Sequence, residues 1–422
     1  MTTSTEAANL NPPSKPPARA TLLFIQATAF LGAVGFGIVG PVLPFLVARF
    51  EVDPARTAAA IGWLASSFAL CAFQSAPALG ALSDRFGRRP VLIVSLLGTV
   101  AGYAIYGLAG ALWMLFLGRI VDGLTAGNIG TLFAYLGDTT PPEDRGRTFG
   151  LVGASFGAGF IVGPAVGALA SRLSLEAPFF VAAGVTLANA IFGYFFLPES
   201  LPKARRADGI RLEQLNPFSQ LAGLFGLPGL RPFLIAGVLF FVAFVSMTTT
   251  LALLVKDTLG WGPDTTGLVF VAVGATDILV QGVLLGWLLK RLRERGVTVL
   301  GFSLVVGGCV VLALLPLHRS VALLIAGAIA FAGGEGMATA SLGALTSNAV
   351  GPQAQGRTQG GSQALQSLSS VIVPLGASQL YARVSPGAPY WAGAVSVVLA
   401  LVALVGLTRT GQAKTDPADA AA

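Results

Sequence analysis

Gly80-Ala81-Leu82-Ser83-Asp84-Arg85-Phe86-Gly87-Arg88-Arg89-Pro90 lies between two long apolar runs, residues 57–82 and 90–110, neither of which carries a charge. A helix needs roughly 20 apolar residues to cross a bilayer at 1.5 Å rise per residue, and each run meets that length. A short charged turn between two such runs reads as a membrane hairpin. The rest of the chain agrees. Of 422 residues, 54% are hydrophobic and 11% charged, against about 25% charged in a soluble domain. So few charges cannot cover a water-facing surface. Glycine is abundant, with 54 residues, and small residues let membrane helices approach closely.

Working outward from the hairpin gives twelve runs: 21–47, 57–82, 90–110, 112–137, 147–171, 177–197, 232–255, 265–289, 297–316, 320–346, 358–381 and 389–408. Between the sixth and seventh lies the longest gap, 198–231, rich in proline and charge. The expected fold class is an all-α membrane protein of twelve transmembrane helices in two six-helix pseudo-repeats. The expected division is a disordered N-terminus (1–20), a six-helix bundle (21–197), a linker (198–231), a second bundle (232–408) and a disordered tail (409–422).

The repeat is visible in the residues. Pro142-Glu143-Asp144-Arg145-Gly146-Arg147-Thr148-Phe149-Gly150 matches Pro352-Gln353-Ala354-Gln355-Gly356-Arg357-Thr358-Gln359-Gly360 at five of nine positions, offset by 210 residues. At an offset of 206, Gly80, Leu82, Arg85 and Arg89 fall on Gly286, Leu288, Arg291 and Arg295. Repeated halves with a midplane substrate site are a common transporter architecture.

The formal net charge of +7 does not indicate nucleic acid, because the basic residues sit in short loops between apolar runs. If the N-terminus is cytoplasmic, nineteen Lys and Arg lie on the cytoplasmic side and six outside, with Arg119 left inside a span. That bias places both termini in the cytoplasm of an inner membrane. Cys71 and Cys309 are far apart and the chain has one histidine, His318. No disulfide framework, metal set or catalytic triad can be assembled from these. No phosphate-binding loop is present, so ATP is not the energy source. The chain reads as no enzyme, with no cofactor and a proton gradient as energy source; its partners are a small-molecule substrate and the lipid bilayer, and it reads as a monomer.

The 80–90 stretch resembles the signature loop between the second and third helices of the major facilitator superfamily. In this reading Gly80 lets a neighbouring helix approach, and Gly87 belongs to the turn. Asp84 accepts hydrogen bonds from a helix N-terminus, and Arg88 or Arg89 pairs with Asp138. The resemblance implies that this cluster, with Arg85, latches the cytoplasmic side; a topogenic charge cluster is the alternative. Gly157-Ala158-Gly159-Phe160-Ile161-Val162-Gly163-Pro164-Ala165-Val166-Gly167 resembles the antiporter motif of efflux members. There Gly157, Gly163 and Gly167 pack closely and Pro164 permits a bend; ordinary glycine packing is the alternative. Gly35-Phe36-Gly37-Ile38-Val39-Gly40-Pro41-Val42-Leu43-Pro44 resembles the twelve-span drug:proton antiporters, nearest the tetracycline-efflux branch. Two departures stand out. Gly32 occupies the place of an acidic residue of the tetracycline pumps, and the second-half loop has Lys290 and Arg293 where the first has Asp84 and Gly87.

Charge at membrane depth costs about 2.5–3.5 kcal/mol on insertion scales and persists where it faces a cavity or partner. Arg119 and Asp122 share a helix face; the resemblance links Arg119 to proton transfer, and a static pair is the alternative. Asp277, four residues before Gln281, occupies a place where the tetracycline pumps carry histidine. Glu335 is flanked by Gly334 and Gly336. Asp122, Arg119, Asp277 and Glu335 are therefore the candidates for proton coupling. Gln26, Asn128, Gln281 and Gln363 are candidates for a substrate cavity, although helix–helix hydrogen bonding explains such residues as well. The expected function is a proton-coupled antiporter exporting a small apolar or cationic compound. An uptake symporter, and a non-transporting receptor or assembly factor, are the rival readings.

Overall fold

Apolar runs too long for a soluble core, punctuated by Gly, Pro and charge, fold into helices because lipid leaves no other partner for backbone N–H and C=O groups. The computed structural model describes residues 19–126, 128–141, 144–210, 215–218, 230–351 and 354–412, with side chains apart from those of residues 19, 20, 36, 128, 145–147, 149, 356, 357 and 405–412. The helices are α1 (Arg19–Val47), α2 (Pro54–Phe86), α3 (Arg88–Gly107), α4 (Leu112–Thr125), α5 (Asn128–Thr139), α6 (Arg145–Ser171), α7 (Ala177–Phe196), α8 (Arg231–Leu259), α9 (Pro263–Leu279), α10 (Leu285–His318), α11 (Val321–Asn348), α12 (Gln355–Arg383) and α13 (Ala388–Gln412). A π-helical turn, Val280–Leu284, joins α9 to α10. Among the described residues there is no β-strand.

Eight helical stretches are long and apolar enough to cross a membrane. One of them, Pro263–His318, covers 56 residues but turns at Arg293, whose φ of 56° and ψ of 174° break the helix; it holds spans 8 and 9. Span 4 is α4 followed by α5. There the Thr125 hydroxyl donates to the carbonyls of Val121 (3.1 Å) and Asp122 (3.0 Å) at the last residue of α4. Span 11 (α12) has the length but a polar composition, and span 12 (α13) is uncharged and largely apolar from Ala388 to Leu407. The described residues thus form twelve spans, and two sequence boundaries change: span 4 is two helices, and α13 runs to Gln412, past the expected end at 408. The rest of the expected terminal segments, residues 1–18 and 413–422, lies outside the described residues.

The packing repeats between halves. In the first half, spans 1 and 5, 3 and 4, 3 and 6, 2 and 4, and 1 and 6 pack together; in the second, spans 7 and 11, 9 and 10, 9 and 12, 8 and 10, and 7 and 12 do the same. Adding six to each span number converts one set into the other. The halves meet through span 2 against span 11 and span 5 against span 8, a pair of contacts that also exchange under that operation. One buried apolar core continues through both, from Ile38, Leu46 and Tyr106 to Met247, Phe302 and Leu342.

The junction between halves is tight on the face opposite the chain termini. A Cβ on Gly62 (span 2) would lie 2.7 Å from the Pro374 carbonyl oxygen (span 11). Ala168 and Pro164 of span 5 press on Gly267 of span 8. Arg172 and Asp264 form an ion pair across the halves at 3.6 Å. Within the first half on the same face, Arg49 pairs with Glu176. Partial burial opposes ionisation of Glu176, but its own backbone N–H, the Ser174 hydroxyl and the Arg49 guanidinium outweigh that and hold the carboxyl below its ordinary range.

Candidate functional site

The charged loop after span 2 is fully assembled. The Arg88 guanidinium reaches Asp84 at 2.6 Å and Asp138, at the end of α5, at 3.2 Å. The expected pairing to Asp138 is therefore made, by Arg88. Arg89 instead donates to the Tyr194 carbonyl of span 6, and Arg85 lies over the ring of Phe86 at 5.3 Å. Two expectations are corrected. Asp84 does not cap a helix N-terminus; it is half-exposed and held by Arg88. The cap comes from Glu199, whose carboxylate accepts from the backbone N–H groups of Arg88 (2.8 Å) and Arg89 (3.2 Å). A carboxylate there meets both the unpaired amides and the positive end of the helix dipole. At Gly80 a Cβ would meet nothing within 4 Å among the described residues, so no described helix packs closely against it. Sequence reasoning placed Glu199 in the linker; the usable signal was an acid immediately after an apolar span and beside a basic loop.

The antiporter-motif residues divide. A Cβ on Gly163 would lie 2.6 Å from the Val34 carbonyl oxygen and 2.9 Å from the Gly37 Cα, so spans 1 and 5 touch backbone to backbone. Gly167 abuts Ile38 at 3.2 Å, and Pro164 sits against Gly37 and Gly267. Gly157 faces open space, which corrects its expected packing role.

Arg119 and Asp122 both sit in α4 at 7% exposure. The Arg119 guanidinium lies between the rings of Phe68 (5.2 Å) and Tyr106 (5.5 Å), a cation–π arrangement worth about 0.5–2 kcal/mol. Its Nε has no hydrogen-bond partner among the described residues. Asp122 packs against the backbone of span 3, where a Cβ on Gly102 would lie 2.8 Å from its Cβ, with Thr99 beside its carboxyl. Among the described residues Arg119 and Asp122 form no ion pair within 4 Å. They form a sealed polar pocket, with Tyr103 and Tyr106 as walls that the sequence did not single out.

In the second half the acids meet. The carboxyl groups of Asp277 (α9) and Glu335 (α11) lie within hydrogen-bonding range of one another. Gln281 Nε2 donates to Asp277 Oδ1 at 2.8 Å, and Thr339 Oγ1 donates to Glu335 Oε1 at 3.0 Å. Gly336 permits this contact, since a side chain there would strike the Asp277 carboxylate. The π-helical turn begins three residues after Asp277 and contains Gln281; such turns widen a helix locally and concentrate at functional sites. Gln281 and Thr339 are exposed, so this cluster is open where the Arg119 pocket is closed.

The remaining cavity candidates do not gather. Gln26 is half-buried in span 1 and Gln363 exposed in span 11, and neither makes a side-chain hydrogen bond among the described residues. The Asn128 side chain lies outside the described residues. Asn189 donates to Thr28 Oγ1 at 2.9 Å and joins spans 6 and 1. His318 is exposed at the end of span 9.

A family model described as Major Facilitator Superfamily matches residues 27–318 and 252–421. The chain belongs to the major facilitator superfamily. It is accordingly a multi-pass membrane transporter and not an enzyme. It is 37% identical over 392 residues to the tetracycline resistance protein, class C, of Escherichia coli, covering 92% of this chain and 95% of that protein. It is 34% identical to the class G tetracycline resistance protein of Vibrio anguillarum, over 90% of this chain and 95% of that one. The solved human organic anion transporter MFSD10 aligns with a TM-score of 0.68 at 22% identity, over 92% of this chain and all of that one. A D-xylose-proton symporter aligns with a TM-score of 0.72 at 18% identity, over 91% and 97%. These solved relatives share the fold of this superfamily member.

Proposed function

We propose that this chain is a proton-coupled antiporter of the inner membrane that exports a small apolar or cationic compound, of the multidrug or tetracycline-like kind, by alternating access. The observation that carries the reading is the meeting of Asp277 and Glu335 beside Gln281 and Thr339. Two carboxyl groups in apolar surroundings face each other comfortably when a proton lies between them, because a hydrogen bond then replaces the repulsion of two anions. A cationic substrate can take the place of that proton. Release of the proton and binding of the substrate are then alternatives at one site, which is what exchange requires. The names of the 37% and 34% identical relatives, both tetracycline resistance proteins, support export as the direction.

The packing supports rocking of two halves. Spans 1 and 5 touch backbone to backbone, so they move as one body, while the gap between halves is closed on one face by Gly62, Gly267 and the Arg172–Asp264 pair. The Lys and Arg bias assigns that face to the outside and both termini to the cytoplasm. The division into halves at a 198–231 linker, a monomeric unit and operation on a proton gradient without a cofactor belong to the same proposal. Asp122, sealed beside Arg119, is a second proton site that opens only when spans 2, 3 and 4 shift.

Everted vesicles test this. A labelled lipophilic amine is expected to accumulate when a proton gradient is imposed and to leak when it is collapsed. Accumulation indifferent to the gradient, and equal in Asp277→Asn and Glu335→Gln vesicles, would overturn the proposal; gradient-driven accumulation in right-side-out vesicles instead would make it an uptake symporter.

A further inference from the structure

The two charged hairpin loops occupy equivalent places in the two halves, but only one is neutralised from within. Around the first, Arg88 is paired to Asp84 and Asp138, and Glu199 caps the following helix. In the second half the position of Asp84 is Lys290 at an offset of 206, and that of Asp138 is Asn348 at 210. Lys290, Arg291, Arg293 and Arg295 are all exposed, and none of them makes an ion pair within 4 Å among the described residues. Four cations within six residues, with Glu294 the one acid among them, make no ion pair within 4 Å among the described residues.

The face they occupy identifies the partner. Val283, Trp287 and Arg291 follow one another a turn apart, and Val283 and Trp287 are 66% and 52% exposed. Leu284 and Leu292 are exposed beside them. The Arg291 guanidinium stacks on the Trp287 ring at 4.4 Å. Apolar side chains thus pass into an indole and then into cations along one exposed strip. That order matches a bilayer leaflet read from hydrocarbon through interface to headgroup. A soluble acidic protein would have no use for the apolar end of the strip.

We infer that the loop between spans 8 and 9 is a binding site for the phosphate headgroup of an anionic lipid. Arg291 is held by Trp287 at headgroup height, and Lys290, Arg293 and Arg295 complete the anion's surroundings. The inference needs only the membrane topology, so it stands or falls apart from the transport proposal.

The test uses the full chain, purified in detergent and delipidated, titrated with fluorescent phosphatidylglycerol or fluorescent phosphatidylcholine. Phosphatidylglycerol is expected to bind more tightly. Lys290→Gln with Arg291→Gln is expected to weaken phosphatidylglycerol by about fivefold per cation and leave phosphatidylcholine unchanged. Arg56→Gln, a cation on the opposite face, serves as the control and is expected to change neither. Trp287→Leu keeps every charge, so it remains informative should the double variant fail to fold; it is expected to weaken phosphatidylglycerol as well. Equal affinity for the two lipids, or equal loss in Arg56→Gln, would overturn the inference and leave the cations to an acidic protein segment. Complete displacement of the lipid by inorganic phosphate, with Trp287→Leu unaffected, would make this a free-phosphate site and overturn the lipid assignment.

Discussion

Arg293 occupies the same positive-φ, extended-ψ region as Gly87, 206 residues earlier: φ 56° and ψ 174° against φ 108° and ψ 157°. Both residues turn the chain between the second and third spans of their half. Glycine reaches this region without a steric cost, whereas a side chain there costs on the order of 1–3 kcal/mol. The second half keeps the geometry of the repeat after losing the residue that suits it. Arg293→Gly is therefore expected to raise stability by about 1–2 kcal/mol, read as a higher midpoint of thermal unfolding in detergent. Gly87→Ala is expected to lower it, since its Cβ would strike the Glu199 carboxylate as well. Equal midpoints for Arg293→Gly and wild type would show that the turn is unstrained.

Glu199 holds the start of α3 through two backbone N–H groups. Glu199→Ala removes a helix cap, an expected loss of about 0.5–2 kcal/mol. Asp84→Asn, which weakens one ion pair whose carboxylate is half-exposed and leaves Arg88 paired to Asp138, is expected to cost less than about 1 kcal/mol. Chemical denaturation of the two variants side by side checks the order. A larger loss for Asp84→Asn would return the capping role to Asp84.

The fold was legible in the sequence because lipid enforces a simple rule: long uncharged runs must be helices, and the offsets of 206 and 210 carried the duplication. Span 4 was read as one helix because apolar length alone does not locate an interruption such as the one after Thr125. Of the site, Arg88–Asp138 was readable from the motif. The Asp277–Glu335 meeting was not, since the two acids lie 58 positions apart and only the packing of span 8 on span 10 brings them together. The glycine at 336 was the local hint. Gly80 and Gly157 show the reverse error: a glycine in a family-like pattern marked close packing where the structure has open space.

On the outer face Glu176 supplies a pH-dependent contact. Its carboxyl titrates below the ordinary range when folded, so the stability it adds is present above the unfolded value and is lost as pH falls through the folded one. Glu176→Gln is expected to lower stability at neutral pH by about 0.2–1 kcal/mol, as befits a partly exposed pair. The gap from wild type is expected to close in acid, below the ordinary carboxylate range. Unfolding midpoints of both proteins across pH check this; a gap that persists in acid contradicts the ion-pair account.

Gly62 lets span 2 meet span 11 where the halves close. Gly62→Leu inserts a side chain into that contact, and overpacking of this kind costs about 1–3 kcal/mol. The cost falls on the conformation seen here and not on one in which the halves have parted on this face. The equilibrium is expected to move toward that other state by about fivefold to a hundredfold. A cysteine at Ser378 reports it, since its labelling from the outer face rises when the junction opens. Unchanged labelling in Gly62→Leu would mean that this junction does not gate access.

Asp277 and Glu335 act as a unit if one proton lies between them. Asp277→Asn and Glu335→Gln each keep a hydrogen-bonding group in place, so the fold is expected to hold within about 1 kcal/mol. Each alone removes the shared proton and is expected to slow gradient-driven accumulation in everted vesicles strongly, to a rate that can still be measured. Removing both is expected to be no worse than removing the more damaging one, a coupling of about 1–3 kcal/mol in a double-mutant cycle. Arg119→Lys affects a sealed pocket on the other half and is expected to combine additively with either. Additive losses for Asp277→Asn and Glu335→Gln would separate the two acids into independent sites. A rate that the gradient still drives in the double variant would move proton exchange to Asp122.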